Sequence, residues 1–273
     1  MNKKQLLAEL EKLGMRPGRG LGQNFLMDSN LLDWIVRHSA PSAGEHILEV
    51  GPGFGALTGK LLATGAQVTA IEFDHRLADY LREKYKDTSL RLIEADACKV
   101  NYAELFPAGT KFRAIANLPY SISSIFIARM LELECGPEYM LFMLQREMGE
   151  RLAAEPGCKD YGALSVRTSL DHNVKIEKIV PPEVFHPAPE VESALVSLTR
   201  IRQRNVAEVK RISSVTKLAF SQRRKQMGKV LKQRYPEERI RSAFAAVGIA
   251  WEVRPERLSV AEFEALVRAF EQA

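Results

Sequence analysis

The sequence predicts an α/β fold in which a doubly wound, mostly parallel seven-stranded sheet is followed by a small all-helical domain. Two observations predict it. From about His46, short apolar runs alternate with segments whose apolar residues recur at helical spacing. After Arg200 the strand-like runs stop, while helical spacing continues. We therefore expect a sheet domain over residues 1–203 and a helical domain over residues 204–273.

Seven apolar runs have the length and residue types of strands. The last two lack a clear helix between them, so we expect a hairpin at the edge of the sheet. The predicted strands are His46–Val50, Gln67–Glu72, 90–94, Phe112–Asn117, Tyr139–Gln145, 175–180 and 194–200.

Apolar residues at helical spacing predict helices between the first strands and throughout the C-terminal part. Asp28 or Ser29 can cap a helix that runs to His38. Ser259, with Glu262 three residues later, forms a capping box. The other helical segments are 57–63, His75–Lys84, 123–133, 206–219, 227–231 and 236–246.

The composition is that of a globular chain, because 46% of its 273 residues are apolar and can fill a core. Residues 1–14 mix charges with leucines, unlike a signal peptide, and no segment is long and apolar enough to span a bilayer. Three cysteines without paired spacing suggest neither a disulfide framework nor a zinc site. We expect a cytoplasmic monomer that uses no metal and no membrane.

The positive charge is concentrated in one stretch. Residues 200–234 contain twelve Lys and Arg against a single acidic residue, Glu208, whereas the remainder of the chain is acidic. A solvated helix face is the simpler interpretation of a milder imbalance. This asymmetry favours a polyanion, and nucleic acid in particular, as the partner.

A glycine-rich turn follows the first predicted strand. Gly51, Gly53 and Gly55 let the backbone approach a ligand closely, and Glu72 ends the next strand, where a carboxylate can bind ribose hydroxyls. Asp96, after the third strand, can accept from an adenine amine. Taken singly, Asp96 is as easily a helix cap and Glu72 a solvated acid. Together they indicate an adenosine-bearing cofactor at the carboxyl edge of the sheet.

The spacing within this turn selects among such cofactors. It reads Gly-x-Gly-x-Gly, whereas pyrophosphate sites use Gly-x-Gly-x-x-Gly, and no Gly-Lys-Ser/Thr phosphate loop occurs. With the acid Glu49 beside the turn, a cationic ligand such as S-adenosyl-L-methionine fits better than a phosphate. Residues 16–26, rich in glycine, suit a loop that passes over this ligand. The five histidines have neither metal-ligand spacing nor a nucleophile motif, so we expect surface or packing roles for them.

The tetrapeptide Asn117-Leu118-Pro119-Tyr120 closes a predicted buried strand and suits a flat base that carries an amine. The Asn117 amide oxygen and the Leu118 carbonyl can each accept one amine hydrogen, and the Tyr120 ring can stack on the base. This arrangement leaves the nitrogen lone pair facing a methyl donor. An ordinary Asn-x-Pro turn at a strand end is the alternative that the tetrapeptide alone leaves open.

Six motifs follow one another along the chain. They are Gly22-Gln23-Asn24-Phe25-Leu26, residues 49–55, Asn117-Leu118-Pro119-Tyr120, Leu144-Gln145-Arg146-Glu147, residues 161–166 and residues 185–194. In this order they resemble the motifs of the KsgA (RsmA) family of ribosomal RNA adenine dimethyltransferases, and the resemblance covers nearly the whole chain.

The resemblance implies a Rossmann-like, S-adenosylmethionine-dependent methyltransferase domain. It implies transfer of two methyl groups to N6 of each of two adjacent adenines in the 3′-terminal hairpin of 16S rRNA, during biogenesis of the small ribosomal subunit. The implied cofactor-binding residues are Gln23, Asn24, Leu26, Gly51, Gly53, Glu72, Asp96 and Asn117. The implied catalytic residues are Asn117, Leu118, Tyr120 and Phe185, and the implied RNA-binding residues are Arg223, Arg224 and Lys225.

Phe185 matches an aromatic position that faces the tyrosine across a flipped base in the family. A core aromatic is the alternative, although four prolines around it predict a rigid exposed loop. Two departures from the family pattern are Ile125, where proline is common, and Gln226-Met227-Gly228 after the basic triplet.

Two other functions stay open. The related enzymes that methylate an adenine of 23S rRNA and confer antibiotic resistance usually have isoleucine at the position of Leu118, which favours the small subunit. A ribosome-assembly factor without catalysis is the other alternative, against which the intact Gly51, Glu72, Asp96 and Asn117 argue.

Overall fold

A computed structural model describes residues 3–15, 23–222 and 225–272 of the chain. The chain divides into two compact units. The first comprises Met1–Gly149 and Lys175–Thr199, and the second comprises Glu150–Val174 and Arg200–Ala273. In the described ranges, no helix is both long and apolar enough for a transmembrane span.

The strands are short, and most are buried. In chain order they are β1 (Phe25–Leu26), β2 (His46–Val50), β3 (Gln67–Glu72), β4 (Arg91–Glu94), β5 (Phe112–Asn117), β6 (Tyr139–Gln145), β7 (His172–Val180), β8 (Phe185–His186) and β9 (Ser193–Arg200).

Seven of these strands form one sheet in the order β4-β3-β2-β5-β6-β9-β7. The pairs from β4 across to β6 are parallel, and β9 pairs antiparallel with β6. The chain leaves β2 for β3 on one side and later returns to β5 on the other. The carboxyl ends of β2 and β5 thus flank a topological switch point, where open α/β sheets bind their ligands. The predicted seven-stranded, mostly parallel sheet is confirmed.

Helices connect the strands and make up most of the second unit. In chain order they are α1 (Lys3–Lys12), α2 (Ser29–Ser39), α3 (Ala56–Leu62), α4 (His75–Lys84), α5 (Tyr102–Leu105), α6 (Ser123–Met130), α7 (Arg146–Leu152), α8 (Ala163–Ser169), α9 (Val206–Phe220), α10 (Met227–Leu231), α11 (Glu237–Val247) and α12 (Val260–Gln272).

Predicted element bounds agree with these to within three residues. Asp28 caps α2 by accepting from the Leu31 amide at 2.7 Å, and Ser259 with Glu262 forms the predicted capping box at α12. β7 lies at the sheet edge beside β9, as expected for the last two strands. Helices α5, α7 and α8 were not predicted. The two-residue strand β1 falls within the stretch predicted to be irregular, and it pairs with β8.

The apolar core of the first unit includes two clusters of buried side chains among the described residues. The larger is built on β2, β5 and β6 and includes Ile47, Ile115 and Leu141. The smaller joins Leu6 and Leu10 of α1 to Phe25, Phe54 and Leu77. The N-terminal helix is thereby packed onto residues next to the switch point.

The second unit has its own core, formed by α8, α9, α11 and α12. Tyr161, Val166 and Leu170 are fully buried in it, and the Tyr161 hydroxyl donates to the Leu258 carbonyl at 2.9 Å. Residues 150–174 therefore pack with the C-terminal helices, whereas the predicted division at 203/204 had placed them in the sheet domain. The unit division falls at Thr199/Arg200, within a few residues of the predicted boundary.

Both departures from the family pattern are accommodated locally. Helix α6 begins at Ser123, whose hydroxyl donates to the Pro119 carbonyl at 3.0 Å, and Ile125 is exposed on it. At Gly228 a Cβ atom would lie 3.0 Å from the Trp251 ring, so glycine allows that ring to pack on α10.

Candidate active site

A cavity of about 310 Å³ lies where β2, β3, β4 and β5 end. Most of its lining comes from the segments that directly follow these strands, and residues 23–26 complete it. Ten sequence-predicted residues line it, namely Gln23, Asn24, Leu26, Gly51, Gly53, Glu72, Asp96, Asn117, Leu118 and Tyr120. Residues widely separated in sequence meet here because parallel strands end at one edge.

The glycine turn after β2 requires glycine on steric grounds. Gly51, Gly53 and Gly55 have φ angles of 68°, 56° and 75°. Residues that carry a Cβ atom rarely adopt this backbone conformation. A Cβ atom at Gly51 would lie 3.0 Å from the Pro119 ring, and one at Gly53 would lie 3.0 Å from Phe25. The turn therefore brings bare backbone to the cavity wall.

Glu72, the last residue of β3, holds the turn. One carboxylate oxygen accepts from the Gly53 amide at 3.1 Å, and the other accepts from the Phe73 and Asp74 amides at 2.9 Å each. The residue is only 6% exposed, and burial raises the pKa of Glu72. The alternative of a solvated strand-end acid is wrong.

Glu49 is also buried, at 2% exposure, and accepts a hydrogen bond from the Thr58 hydroxyl at 2.7 Å. Burial, reinforced by the charge of Glu72 and opposed by the Thr58 bond, raises the pKa of Glu49 to about 8. Burial thus favours the protonated, neutral form of this carboxyl group. The raised pKa weakens the attraction that we expected between a negative Glu49 and a cationic ligand.

This protonation predicts how stability depends on pH. The pKa of Glu49 rises from 4.5 to about 8 on folding, so the folded chain binds more protons between these values. Its contribution to the free energy of unfolding is complete below pH 4.5 and is lost as pH rises towards 8. We expect Glu49→Gln to flatten this slope in denaturant titrations from pH 5 to 8. Glu11→Gln, an exposed change on α1, should leave the slope as it is, and an unaltered slope in Glu49→Gln would contradict the assignment.

Asp96 lies in the turn after β4, not at the start of a helix, and its contact with an adenine amine stays a prediction. Its carboxylate accepts from the Cys98 amide at 2.8 Å, as a local cap does, and the residue also lines the cavity. The capping bond fixes the side chain, and its second oxygen lies 3.5 Å from the Lys99 ammonium.

The side-chain amide of Asn117 is oriented by the N-terminal segment. Its Nδ2 donates to the Asn24 carbonyl at 3.0 Å, which leaves Oδ1 as the atom available to a ligand's hydrogen. Leu118 is buried beside it, and both residues line the cavity. The amide oxygen is thus presented as an acceptor, while its contact with the amine of a base stays a prediction.

The Tyr120 ring lines the cavity, and its hydroxyl shares a hydrogen bond of 2.6 Å with Ser193. Phe185 differs from expectation: it is 2% exposed and packs in the larger apolar cluster of the first unit. The predicted exposed loop is wrong here because Phe185 pairs with Leu26 in the β1–β8 ladder. Phe185 is absent from the described cavity lining, and its stacking role stays a prediction.

Phe73 was missed by the sequence reasoning. It directly follows Glu72, lines the cavity and is 62% exposed, unusually so for a large apolar side chain. An apolar residue between a strand-end acid and Asp74, which caps α4, is the signal that could have indicated it. The exposed ring offers a flat apolar surface for a base.

Several arginines of the basic stretch 200–234 form ion pairs within the second unit. Arg202 and Arg204 pair with Glu264, and Arg204 also pairs with Asp171 at 2.7 Å, while Arg211 pairs with Glu271. These ion pairs join α9 and the segment before it to Asp171 and α12, so part of the basic stretch is already paired within the second unit. Binding of a polyanion by this stretch stays a prediction. Arg223 and Arg224 lie outside the described residues, and Lys225 is exposed.

One group of potential metal ligands occurs in the described part of the chain, formed by His75, Asp79 and Glu94. It lies on the exposed surface and outside the described cavity lining. Arg82 bonds to both carboxylates, so the group is an ion-pair network on α4 and β4.

The sequence matches a known protein family over most of its length. The pattern of the family described as "Ribosomal RNA adenine dimethylase" matches residues 17–272. The chain belongs to the ribosomal RNA adenine dimethylase family. This confirms the family that the sequence motifs indicated.

Full-length relatives agree with this family. Two proteins named "Ribosomal RNA small subunit methyltransferase A" illustrate it. The one from Anaeromyxobacter sp. (strain K) is 40% identical over 273 residues, covering 96% of each chain. The one from Hahella chejuensis (strain KCTC 2396) is 39% identical, covering 93% of this chain and 92% of the relative.

Solved structures show the same fold. A dimethyladenosine transferase from Plasmodium falciparum has a TM-score of 0.78 at 24% identity, covering 91% of this chain and 98% of that one. The 23S rRNA methyltransferase ErmE has a TM-score of 0.69 at 25% identity, covering 91% and 100%. The fold predicted for the ribosomal RNA adenine dimethylase family is therefore present here.

Proposed function

We propose that this protein transfers methyl groups from S-adenosyl-L-methionine to N6 of two adjacent adenines in the 3′-terminal hairpin of 16S rRNA. The product is N6,N6-dimethyladenosine, formed during biogenesis of the small ribosomal subunit. One observation carries the proposal: the glycine turn, Glu72 and an Asn117 amide held with its oxygen free meet in a single cavity. The name that the full-length relatives carry supports the choice of the small subunit.

The residues present fit an adenosine-bearing cofactor. The bare backbone at Gly51 and Gly53 leaves room that a Cβ atom would fill, and Glu72 offers a fixed carboxylate for ribose hydroxyls. Asp96 would accept from the base amine and Phe73 would cover a face of the base. Gln23, Asn24 and Leu26 would close the cavity from the N-terminal side. When bound, S-adenosyl-L-methionine supplies an electrophilic methyl group.

The target adenine would be held by the segment after β5. The Asn117 oxygen and the Leu118 carbonyl accept the two amine hydrogens, and Tyr120 stacks on the extruded base. Stacking offsets part of an unstacking cost of a few kcal/mol. No strong general base is required before attack, because the nitrogen loses its proton to water once it is methylated. Rate then comes from orientation of the amine, so Asn117 acts by positioning.

Methylation of 23S rRNA is the second candidate, because the ErmE structure is similar over 91% of this chain. The two are separated by incubating purified small and large subunits, from a strain lacking the enzyme, with donor labelled in its methyl group. We expect label in the small subunit, in two adjacent adenines that mass analysis shows as dimethylated. Label confined to the large subunit would refute the proposal.

The basic triplet is proposed to contact RNA. Replacing Arg223, Arg224 and Lys225 together by alanine should weaken binding to the small subunit and reduce the slope of log K against log salt by about 2 to 3. Filter binding at about 50 to 300 mM salt measures both the affinity for the small subunit and this slope. Substituting Arg202, which pairs with Glu264, is the matched control and should leave the slope nearly constant. An unchanged slope in the triple variant would remove the triplet from the interface.

A further inference from the structure

Two side chains at the end of α4 contact the glycine turn. The Lys84 ammonium donates to the Phe54 carbonyl at 2.7 Å, and the Tyr85 hydroxyl donates to the Gly55 carbonyl at 2.7 Å. Neither residue is among those described as lining the cavity. They therefore support the turn from outside the ligand space.

The turn needs such support because of its composition. Three of its five residues are glycines with positive φ, and glycine has the largest backbone freedom to lose on ordering. Glu72 fixes the turn through the Gly53 amide alone. The carbonyls of Phe54 and Gly55 lie beyond that bond. The Gly55 carbonyl accepts from the Gly59 amide of α3 at 3.0 Å and also from the Tyr85 hydroxyl, while the Phe54 carbonyl accepts from the Lys84 ammonium.

Holding these carbonyls also orients the next amides. Each peptide unit is planar, so fixing the Gly55 carbonyl fixes the direction of the Ala56 N–H, and Ala56 lines the cavity. Fixing the Phe54 carbonyl likewise fixes the Gly55 N–H, which donates to the Pro52 carbonyl at 2.8 Å within the turn.

Glycines at positions 55 and 59 leave the space that the Tyr85 side chain occupies when it donates to the Gly55 carbonyl. A Cβ atom at Gly55 would lie 2.6 Å from the Tyr85 ring, and one at Gly59 would lie 2.8 Å from its hydroxyl oxygen. Glycine is unfavourable inside a helix such as α3. The Tyr85 hydroxyl explains its presence at position 59, because any larger residue there would clash with the hydroxyl oxygen. Lys84 is fixed as well, since its ammonium lies 5.4 Å and 5.1 Å from the ring centroids of Tyr80 and Tyr85.

We propose that Lys84 and Tyr85 are positioning residues that hold the glycine turn in its ligand-binding shape and so set the affinity for S-adenosyl-L-methionine. This inference rests on the proposed function. Tyr85→Phe removes only the hydroxyl, and Lys84→Met removes only the ammonium. Each should raise the Kd for S-adenosyl-L-methionine roughly three- to tenfold by calorimetry, the loss expected for one hydrogen bond. Lys86→Met, an exposed change two residues along that removes the ion pair with Glu83, should leave Kd unchanged.

Kinetics separate positioning from general structural damage. In Tyr85→Phe the KM for the cofactor should rise, while the KM for RNA and kcat at saturating cofactor stay near those of the unmodified protein. In the protein without cofactor, amide exchange over residues 51–59 should become faster. A lower kcat with an unaltered cofactor KM would indicate loss of folded protein and would overturn the assignment.

A double-mutant cycle between Gly59 and Tyr85 tests whether the position of the Tyr85 hydroxyl determines the affinity for the cofactor. Gly59→Ala should displace the Tyr85 hydroxyl and raise Kd, yet combined with Tyr85→Phe it should add little, because the clashing atom is gone. Normal binding by the unmodified protein with unchanged Kd in every variant would refute this inference alone. Absence of binding by the unmodified protein would refute the proposed function, and this inference with it.

Discussion

Asn117→Ala is expected to abolish methyl transfer while leaving binding to the small subunit nearly intact. The amide donates to the Asn24 carbonyl at 3.0 Å, so its oxygen is directed to the ligand before any base arrives. Removing one preorganised polar contact of this kind costs about 100-fold or more in kcat. Single-turnover methylation of small subunits, with subunit binding measured in parallel, gives both quantities.

Asn117→Asp sharpens the test because it keeps the size of the side chain. It replaces the donating nitrogen by an oxygen that would face the Asn24 carbonyl, so we expect the side chain to turn and activity to fall as in Asn117→Ala. Asn173→Ala, an exposed change on β7, should behave as the unmodified protein. Activity within a few fold of normal in Asn117→Ala would show that Asn117 does not orient the base.

Glu72→Gln is expected to weaken the binding of S-adenosyl-L-methionine by about 100-fold. The two carboxylate oxygens accept three backbone hydrogens, from Gly53, Phe73 and Asp74. A glutamine keeps one acceptor oxygen and turns an NH₂ group towards a backbone N–H, so the turn or the segment after β3 is released. The proposed contact with the ribose would be lost as well, and hydrogen bonds to a charged group contribute about 1.5 to 3 kcal/mol each.

The neighbouring strand supplies a matched control for this change. Glu94 is the register partner of Glu72 on β4, but it bonds to His75 and Arg82 and is not among the described cavity-lining residues. Glu94→Gln should therefore bind the cofactor normally in calorimetry. Equal affinities for the two variants would contradict the assigned role of Glu72.

The sheet and most of the cavity residues could be predicted because their signals are local. Apolar runs mark the strands, and the residues that follow parallel strands must meet at one edge. Phe185 could not be placed in this way, because its burial depends on pairing with Leu26, far away in sequence. Its prolines indicated only a loop.

Other features of the site and of the domain division depend on contacts between distant parts of the sequence, which a local sequence pattern does not indicate. The raised pKa of Glu49 follows from its burial, to which the charge of Glu72 adds. Lys84 and Tyr85 reach carbonyls 30 residues earlier in the chain, which no motif records. The segment 150–174 shows its place only through buried side chains such as Tyr161, which fill the helical core.

A crystal structure of the protein with S-adenosyl-L-methionine bound tests the central claim most directly. That claim is that the methyl donor and the target base share the cavity at the ends of β2 to β5. We predict the ribose hydroxyls on Glu72, the base between Asp96 and Phe73, and the methyl group facing the space beside the Asn117 oxygen. A cofactor bound outside this cavity, or a methyl group directed away from Asn117, would contradict the account.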